Sequence, residues 1–470
     1  MNRHQSCYYV LVVLIFFSFS IDGYSQNQKS IILQKVNITD FPKVGELNFI
    51  SNLGVDVLDF VTTDFDFDGT PEVCYLRTDE NYPYAIAARD IKYNTYIFSP
   101  FAVDVHPGSH YIYKLEGGIK YKWATHRMNE TYGIVDLYNP KFQPIDSVLT
   151  IRGFDNSKNG LWNGYFRCVG LIDMNDDGRE DILIRVNTGS DGQPRALLGY
   201  DIITKKNIYK LILAPLVNET KIFDLEQDGS PEITMALGGA SDGPFFGQFA
   251  RDSSYFVILN HNGTVKKYWN FGSESSYVNY DVADVNHDQY LDICVSTFSR
   301  IFTNNERSML NIIDGKSLQI VATYQSPDPK QLLIRCIARD LDNDGNYEIL
   351  TKHTSIVNLF RYDNKEIQLI KSVDFESEVE FLKSDDINED GMLEIFFYHL
   401  GFESIFITDH RLNPLGYTPV ETQTQLLPKL KLVDKTHSAK RNYALHAGNH
   451  LLRLTLEKDQ IFPPAPFRVN

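Results

Sequence analysis

Asp340-Leu341-Asp342-Asn343-Asp344-Gly345-Asn346-Tyr347-Glu348 is the stretch that decides the fold. It places oxygen-bearing side chains at positions 1, 3 and 5, a glycine at 6 and a carboxylate at 9, and then enters the β-type run Ile349-Leu350. Five further stretches repeat the pattern, starting at Asp64, Asp173, Asp224, Asp284 and Asp386. Side chains at positions 1, 3, 5 and 9, with the backbone carbonyl of position 7, wrap the chain around one hard cation. Calcium suits such a set because it takes six to eight oxygens in flexible geometry, whereas magnesium holds to a strict octahedron and keeps its waters.

The expected ligands follow from that spacing. They are Asp64, Asp66, Asp68, Thr70 and Glu72 in the first loop, and Asp173, Asn175, Asp177, Arg179 and Asp181 in the second. The third offers Asp224, Glu226, Asp228, Ser230 and Glu232, and the fourth Asp284, Asn286, Asp288, Tyr290 and Asp292. The fifth offers Asp340, Asp342, Asp344, Asn346 and Glu348, and the sixth Asp386, Asn388, Asp390, Met392 and Glu394. An EF-hand closes on a glutamate at position 12 and lies between helices. Here the acid comes at position 9 and opens a strand, so each loop reads as a metal-filled β-hairpin turn. The fourth loop is the weak member, because Gln289 stands where the others have glycine in a left-handed turn.

Spacing gives the architecture. The gap from Asp64 to Asp173 is about twice the others. A period of this size, with four short strands per unit, marks an all-β propeller of antiparallel blades. A second turn recurs downstream of each loop, at Asp90, Asp201, Asn260, Asp314, Asp363 and Asp409, and also at Asp136 inside the double gap. A blade with a degenerate loop near Leu115-Glu116-Gly117-Gly118-Ile119 is expected there, and another after Asp434. The count favours eight blades. Seven remain if the C-terminal segment forms a cap. The run Ser30 to Val36 is expected to supply the outer strand of the last blade and close the ring, which removes exposed sheet edges.

The loops resemble the calcium-binding repeats of the FG-GAP/VCBS class, found in integrin α-subunit propellers and many secreted bacterial proteins. The likeness runs over roughly residues 55 to 455 and lies in the metal loop, since the Phe-Gly and Gly-Ala-Pro signatures are mostly missing. It implies a calcium propeller and divides between binding proteins and enzymes of the rhamnogalacturonan lyase type.

The formal charge of −16 is largely loop chemistry, and up to six structural Ca²⁺ would offset most of it. Nucleic acid is therefore not an expected partner. Arg3 and His4 followed by an apolar run from Tyr8 to Phe19, then Gly23-Tyr24-Ser25, read as a signal peptide over residues 1–25. That run is short of the roughly 20 residues a bilayer span needs; an uncleaved anchor is the alternative. Residues 26–470 are then expected to form one propeller domain that is secreted, periplasmic or at the cell surface, with no membrane span. Cys74, Cys168, Cys294 and Cys336 read as small core residues.

Metal hairpins join strands one and two of a blade, so the hairpins joining strands two and three lie on the opposite face. Four of these are long and carry Arg77, Asp79 and Tyr82; Asp191; Asp242, Phe245 and Phe246; and Arg300 and Arg307. Such side chains suit a glycan or protein ligand. No nucleophile elbow, phosphate loop or zinc motif occurs. Single histidines such as His106, His110, His126 and His353 are the candidate bases for a lyase-like cleft. The basic cluster Lys120, Lys122, Trp123, His126 and Arg127 reads either as a contact for an anionic glycan or as a replacement for the charge of the missing metal. The function expected is a calcium-stabilised binding scaffold, with a polysaccharide lyase or an extracellular sensor or adhesion module as alternatives.

Overall fold

In a computed structural model, the described residues are 33–52, 60–63, 72–77, 85–90, 95–102, 112–114, 123–128, 132–138, 144–152, 154–155, 164–188, 192–239, 247–272, 276–299, 308–328, 331–420, 429–434, 440–447 and 450–462. Among them, eight successive sheets run along the chain, seven of four antiparallel strands and one, the sixth, of four antiparallel strands with a fifth added in parallel. The fourth is representative: Leu216–Phe223, Glu232–Gly238, Ser254–Leu259 and Val265–Gly272 pair in sequence order. This is the propeller architecture. The eighth sheet, Lys429–Asp434, Lys440–Ala447 and His450–Glu457, is completed by Glu46–Asn52 from the other end of the chain. The C-terminal segment is therefore a blade and not a cap.

Burial explains why the strands read as they do. Every residue of Glu232–Gly238 and Ser254–Leu259 is buried, because neighbouring sheets cover both faces of the middle strands. The outermost strand, Val265–Gly272, alternates between exposed and half-buried positions. The core consists of layers between consecutive sheets. One layer packs Leu183, Leu197 and Leu213 against Val217, Met235 and Val257. A later one packs Leu350 and Val373 against Val379, Phe397 and Phe406. First strands of most neighbouring sheets touch one another, and Lys429–Asp434 of the last sheet touches Val61–Thr63 of the first. At that seam Lys431 donates to the carbonyl of buried Phe60, with Nζ 4.8 Å from the ring centre.

Closure comes from a different segment than Ser30 to Val36. Within that run, Gln34–Lys35 pairs in parallel with the outer strand of the sixth sheet, Glu366–Asp374. Val36 and Ile38 are buried in the layer between the sixth and seventh sheets, which holds them there. The chain then crosses the seventh sheet, where Val44 N donates to Tyr417 O at 2.9 Å and Tyr417 N to Pro42 O at 3.0 Å. Gly45 makes the turn into the last sheet at φ 76°, where an added Cβ would lie 2.9 Å from the carbonyl oxygen of Thr455. Glu46–Asn52 has the length to span His450–Glu457, with Leu47 opposite Leu454. The signal peptide expected over residues 1–25 lies outside the described residues, as does the degenerate loop expected at 115–119. No helix among the described residues is long and apolar enough to cross a membrane.

Candidate metal loops and the opposite rim

Five of the six acidic stretches are described, and each joins the first and second strands of a sheet. Of the first loop only Glu72 is described, buried at the start of its strand; Asp64, Asp66, Asp68 and Thr70 lie outside the described residues.

The five loops share one hydrogen-bond pattern. The first aspartate accepts the backbone N–H of position 6: from Gly178 at 2.8 Å, Gly229 at 2.9 Å, Gln289 at 3.0 Å, Gly345 at 3.1 Å and Gly391 at 3.0 Å. The acid at position 5 accepts the N–H of position 7, from Arg179, Ser230, Tyr290, Asn346 and Met392, at 2.7 to 3.0 Å. One oxygen of the closing acid accepts the N–H of position 2: Asp181 from Met174, Glu232 from Leu225, Asp292 from Val285, Glu348 from Leu341 and Glu394 from Ile387. The position-2 side chains are all buried, so each loop is nailed to the sheet beneath it.

Two left-handed residues make this curl possible. Position 6 has φ between 75° and 89° in all five loops, and Gln289 adopts 75° without a glycine's freedom. Position 4 is left-handed as well: Asp176, Gln227, His287, Asn343 and Glu389 have φ between 54° and 62°. Sequence reasoning missed position 4 because no residue type is shared there. Its side chains reach outward to the next sheets. Asp176 meets His261 at 3.0 Å, His287 meets Asn346 at 2.9 Å, and Glu389 meets Arg441 at 2.9 Å. Backbone links run the same way, from Leu291 N to Leu225 O at 3.2 Å and from Leu393 N to Leu341 O at 2.8 Å. The loops therefore form a linked collar on one face.

The donor chemistry fits a hard cation. Carboxylate oxygens of Asp340, Asp342 and Glu348 lie within 4.8 Å of one another. One oxygen of Asp340 and one of Asp342 are buried with no hydrogen-bond partner. Burial pushes the closing acids up: Asp181 to about 6, Asp292 to about 7 and Glu394 to about 8. Burial also raises Glu348, against the opposing pull of the Leu341 N–H and of Arg361. A divalent cation at the centre of each loop would hold these groups ionised.

Two basic residues at these loops were not anticipated. Lys266 reaches Glu226 at 2.9 Å and Glu232 at 2.8 Å. Arg361 contacts Asp342, Asp344 and Glu348 together. Both lie on later strands of their own sheets, too far along the chain for the loop pattern to flag.

On the opposite rim, Arg77 ends the second strand of the first sheet, and Asp79, Tyr82, Asp191, Asp242, Phe245, Phe246, Arg300 and Arg307 lie outside the described residues. The flanks of two rim hairpins are built up. Gly192–Gln193, beside Asp191, pairs with Phe154–Asp155 in a separate two-stranded ribbon. The long excursion after Gly238 is tied to the third sheet where Gln248 N donates to Ile212 O at 2.9 Å. Phe249 there packs on Tyr255 and Tyr268, with centroids 5.0 and 5.4 Å away, so its ring anchors the excursion. In the sixth and seventh sheets the rim turns are short. His399 is fully buried, with Nε2 2.9 Å from Phe375 O, and His353 is held below the ordinary histidine range, chiefly by burial. His106, His110 and the residues 120 and 122 lie outside the described set. Cys168, Cys294 and Cys336 are buried and unbridged.

No protein-family model matches the chain, and no curated protein matches its sequence. Among solved structures it is similar to the Dos1 propeller, with 9% identity over 89% of this chain and 96% of that one and a TM-score of 0.49. It is also similar to a quinohemoprotein alcohol dehydrogenase from Comamonas testosteroni, at 8% identity over 93% and 79% of the two chains and a TM-score of 0.47. The rhamnogalacturonan lyase YesW follows at 11% identity, 87% and 76% coverage and a TM-score of 0.41. The fold rests on the strand topology above.

Proposed function

We propose that the chain is an exported, calcium-stabilised β-propeller that serves as a binding scaffold, and that its loops are calcium-binding repeats of the FG-GAP/VCBS type. One observation carries this reading: the same loop, with carboxylates at positions 1, 5 and 9 in fixed hydrogen-bond geometry, is built five times at one end of the second strands. Ca²⁺ would be held by the side chains at positions 1, 3, 5 and 9 and would supply charge neutralisation. The chain's own backbone N–H groups already orient the carboxylates for it. Millimolar calcium outside the cell suits acidic loops of modest affinity.

A face occupied by repeated loops leaves the other rim for recognition. There the hairpins differ from sheet to sheet and carry Arg77, Asp79, Tyr82, Asp191, Asp242, Phe245, Phe246, Arg300 and Arg307. Aromatic rings with amide, acid and guanidinium groups fit a glycan or a protein surface. The test is binding of the labelled chain, residues 26–470, to arrayed glycans and extracellular proteins in calcium. Phe245→Ala and Arg300→Ala are expected to abolish the signal while leaving the melting point unchanged. Retention of binding in both variants would reject the rim as the recognition face.

A further inference from the structure

Two of the five described loops carry acids at all four side-chain positions: Asp224, Glu226, Asp228 and Glu232 in one, Asp340, Asp342, Asp344 and Glu348 in the other. The second, fourth and sixth loops have Asn175, Asn286 and Asn388 at position 3. Both four-acid loops receive a basic side chain among their carboxylates. Lys266 Nζ stands 2.8 Å from Glu232 Oε1 and 2.9 Å from Glu226 Oε1. Arg361 places Nε 2.8 Å from Glu348 Oε1, and its two terminal nitrogens 3.1 Å from Asp342 and 3.2 Å from Asp344.

The placement belongs to the fold and is not a chance surface pairing. Arg361 lies directly across the ladder from Glu348. At the matching place in the third, fifth and seventh sheets stand Asp201, Asp314 and Asp409, each capping its own hairpin through backbone N–H groups. In both four-acid loops the closing glutamate gives Oε2 to the loop backbone, at 3.0 Å. The tether takes Oε1, the oxygen that remains for a metal.

We propose that Lys266 and Arg361 are tethered counter-cations that compete with calcium for the third and fifth loops. This rests on the calcium reading of the loops. The extra acid at position 3 would otherwise leave four carboxylates crowded together when no metal is bound. The tether neutralises part of that charge and keeps the loop folded in low calcium. It also raises the calcium concentration at which the metal displaces it. The third and fifth loops are then the staples that survive calcium depletion, and the loops whose closing acid lacks such a tether are those that depend on it. In the second loop Arg179 reaches Asp177, at 2.8 Å, and not Asp181.

The test is calcium binding by calorimetry and melting in chelator and in saturating calcium, for the wild type, Arg361→Gln and Lys266→Gln. Each variant is expected to tighten one class of site by roughly two- to fivefold, the range of a partly exposed ion pair. Each should lower the melting point in chelator and leave it nearly unchanged in calcium, with Arg361→Lys in between. Unchanged affinity, or an equal loss of melting point in both conditions, overturns the proposal. A wild type that takes up no calcium overturns the reading of the loops as well, so the two failures are distinct. Lys266→Gln tests the idea on a separate loop if Arg361→Gln does not fold.

Discussion

The fifth and sixth loops are neighbours joined by the Leu393 to Leu341 hydrogen bond, and they handle the same buried charge in different ways. Both curl on the same two left-handed residues and tie one oxygen of the closing glutamate to a backbone N–H. In the fifth loop, Arg361 covers the other oxygen of Glu348. In the sixth, no basic side chain among the described residues pairs with Glu394, and burial pushes that carboxyl up to about 8. Identical backbones therefore do not imply identical dependence on a metal. What differs is whether a cation reaches the closing acid: Arg441 and Lys458 touch the sixth loop at Glu389 and at the carbonyls of Asp386 and Asn388, and not at Glu394.

The most severe way to press the comparison is to withhold the calcium proposed to fill the loops. A site at tenfold excess of calcium over its Kd contributes about 1.4 kcal/mol to the folded state. Several such sites together should make chelation lower the melting point steeply, with recovery in Ca²⁺ and not in Mg²⁺. Hydrogen exchange in chelator should then show amides of residues 386–394 opening before those of 340–348. Equal protection of the two segments would erase the distinction drawn between them.

Amide substitutions of the two closing acids should move stability in opposite directions. In chelator near neutral pH, Glu394→Gln replaces a carboxyl that burial keeps protonated, at a cost to folding, with a neutral group that can still accept from Ile387 N–H, and should stabilise by about 1 kcal/mol. Glu348→Gln takes away the partner of Arg361 and should destabilise by about the same amount. In calcium both should destabilise, because each would remove a ligand proposed for the metal. Urea midpoints in the two conditions read this directly, and a common sign in chelator would contradict the contrast.

Much of this was legible in the sequence because the collar is repetitive. Acids at fixed spacing and a regular period gave the sheets and the loops, since hairpin turns and metal ligation both need particular residues at particular steps. The closing strand was misplaced because Ser30 to Val36 and Glu46–Asn52 have similar β character, and only pairing with His450–Glu457 separates them. Arg361 and Lys266 were missed for a related reason: their proximity to the loops is created by strand register, which local spacing does not encode. The rim remained hardest to read, because its hairpins are not copies of one another.

The fourth loop extends the comparison to backbone strain. Gln289 holds φ 75° and still donates to Asp284 at 3.0 Å, so the loop closes at a conformational cost. Gln289→Gly should relieve roughly 1–2 kcal/mol of left-handed strain and lose about 0.4–1 kcal/mol to greater freedom in the unfolded chain. A net gain of about 0.5–1 kcal/mol, with tighter calcium binding at this loop alone, is the expected balance. A variant less stable than the wild type would show that Gln289 makes contacts worth more than the strain.

The smallest effect lies at the far end of the strand that Glu394 opens. His399 is fully buried; Nε2 donates to Phe375 O at 2.9 Å while Nδ1 accepts from Phe402 N at 3.1 Å, so the fold requires the neutral ring. Burial holds its pKa below the ordinary value, against the pull of the Phe375 carbonyl. The sign follows from which state binds the proton. As pH falls below about 6.5, the unfolded histidine protonates and the folded one resists, so this contribution is complete above that pH and declines below it. His399→Gln removes the titration while keeping a donor and an acceptor. Urea midpoints in saturating calcium should therefore fall less between pH 7 and pH 5.5 in the variant than in the wild type. Parallel slopes would mean that the acid sensitivity of this sheet resides in its metal loop and not at the rim end of the strand.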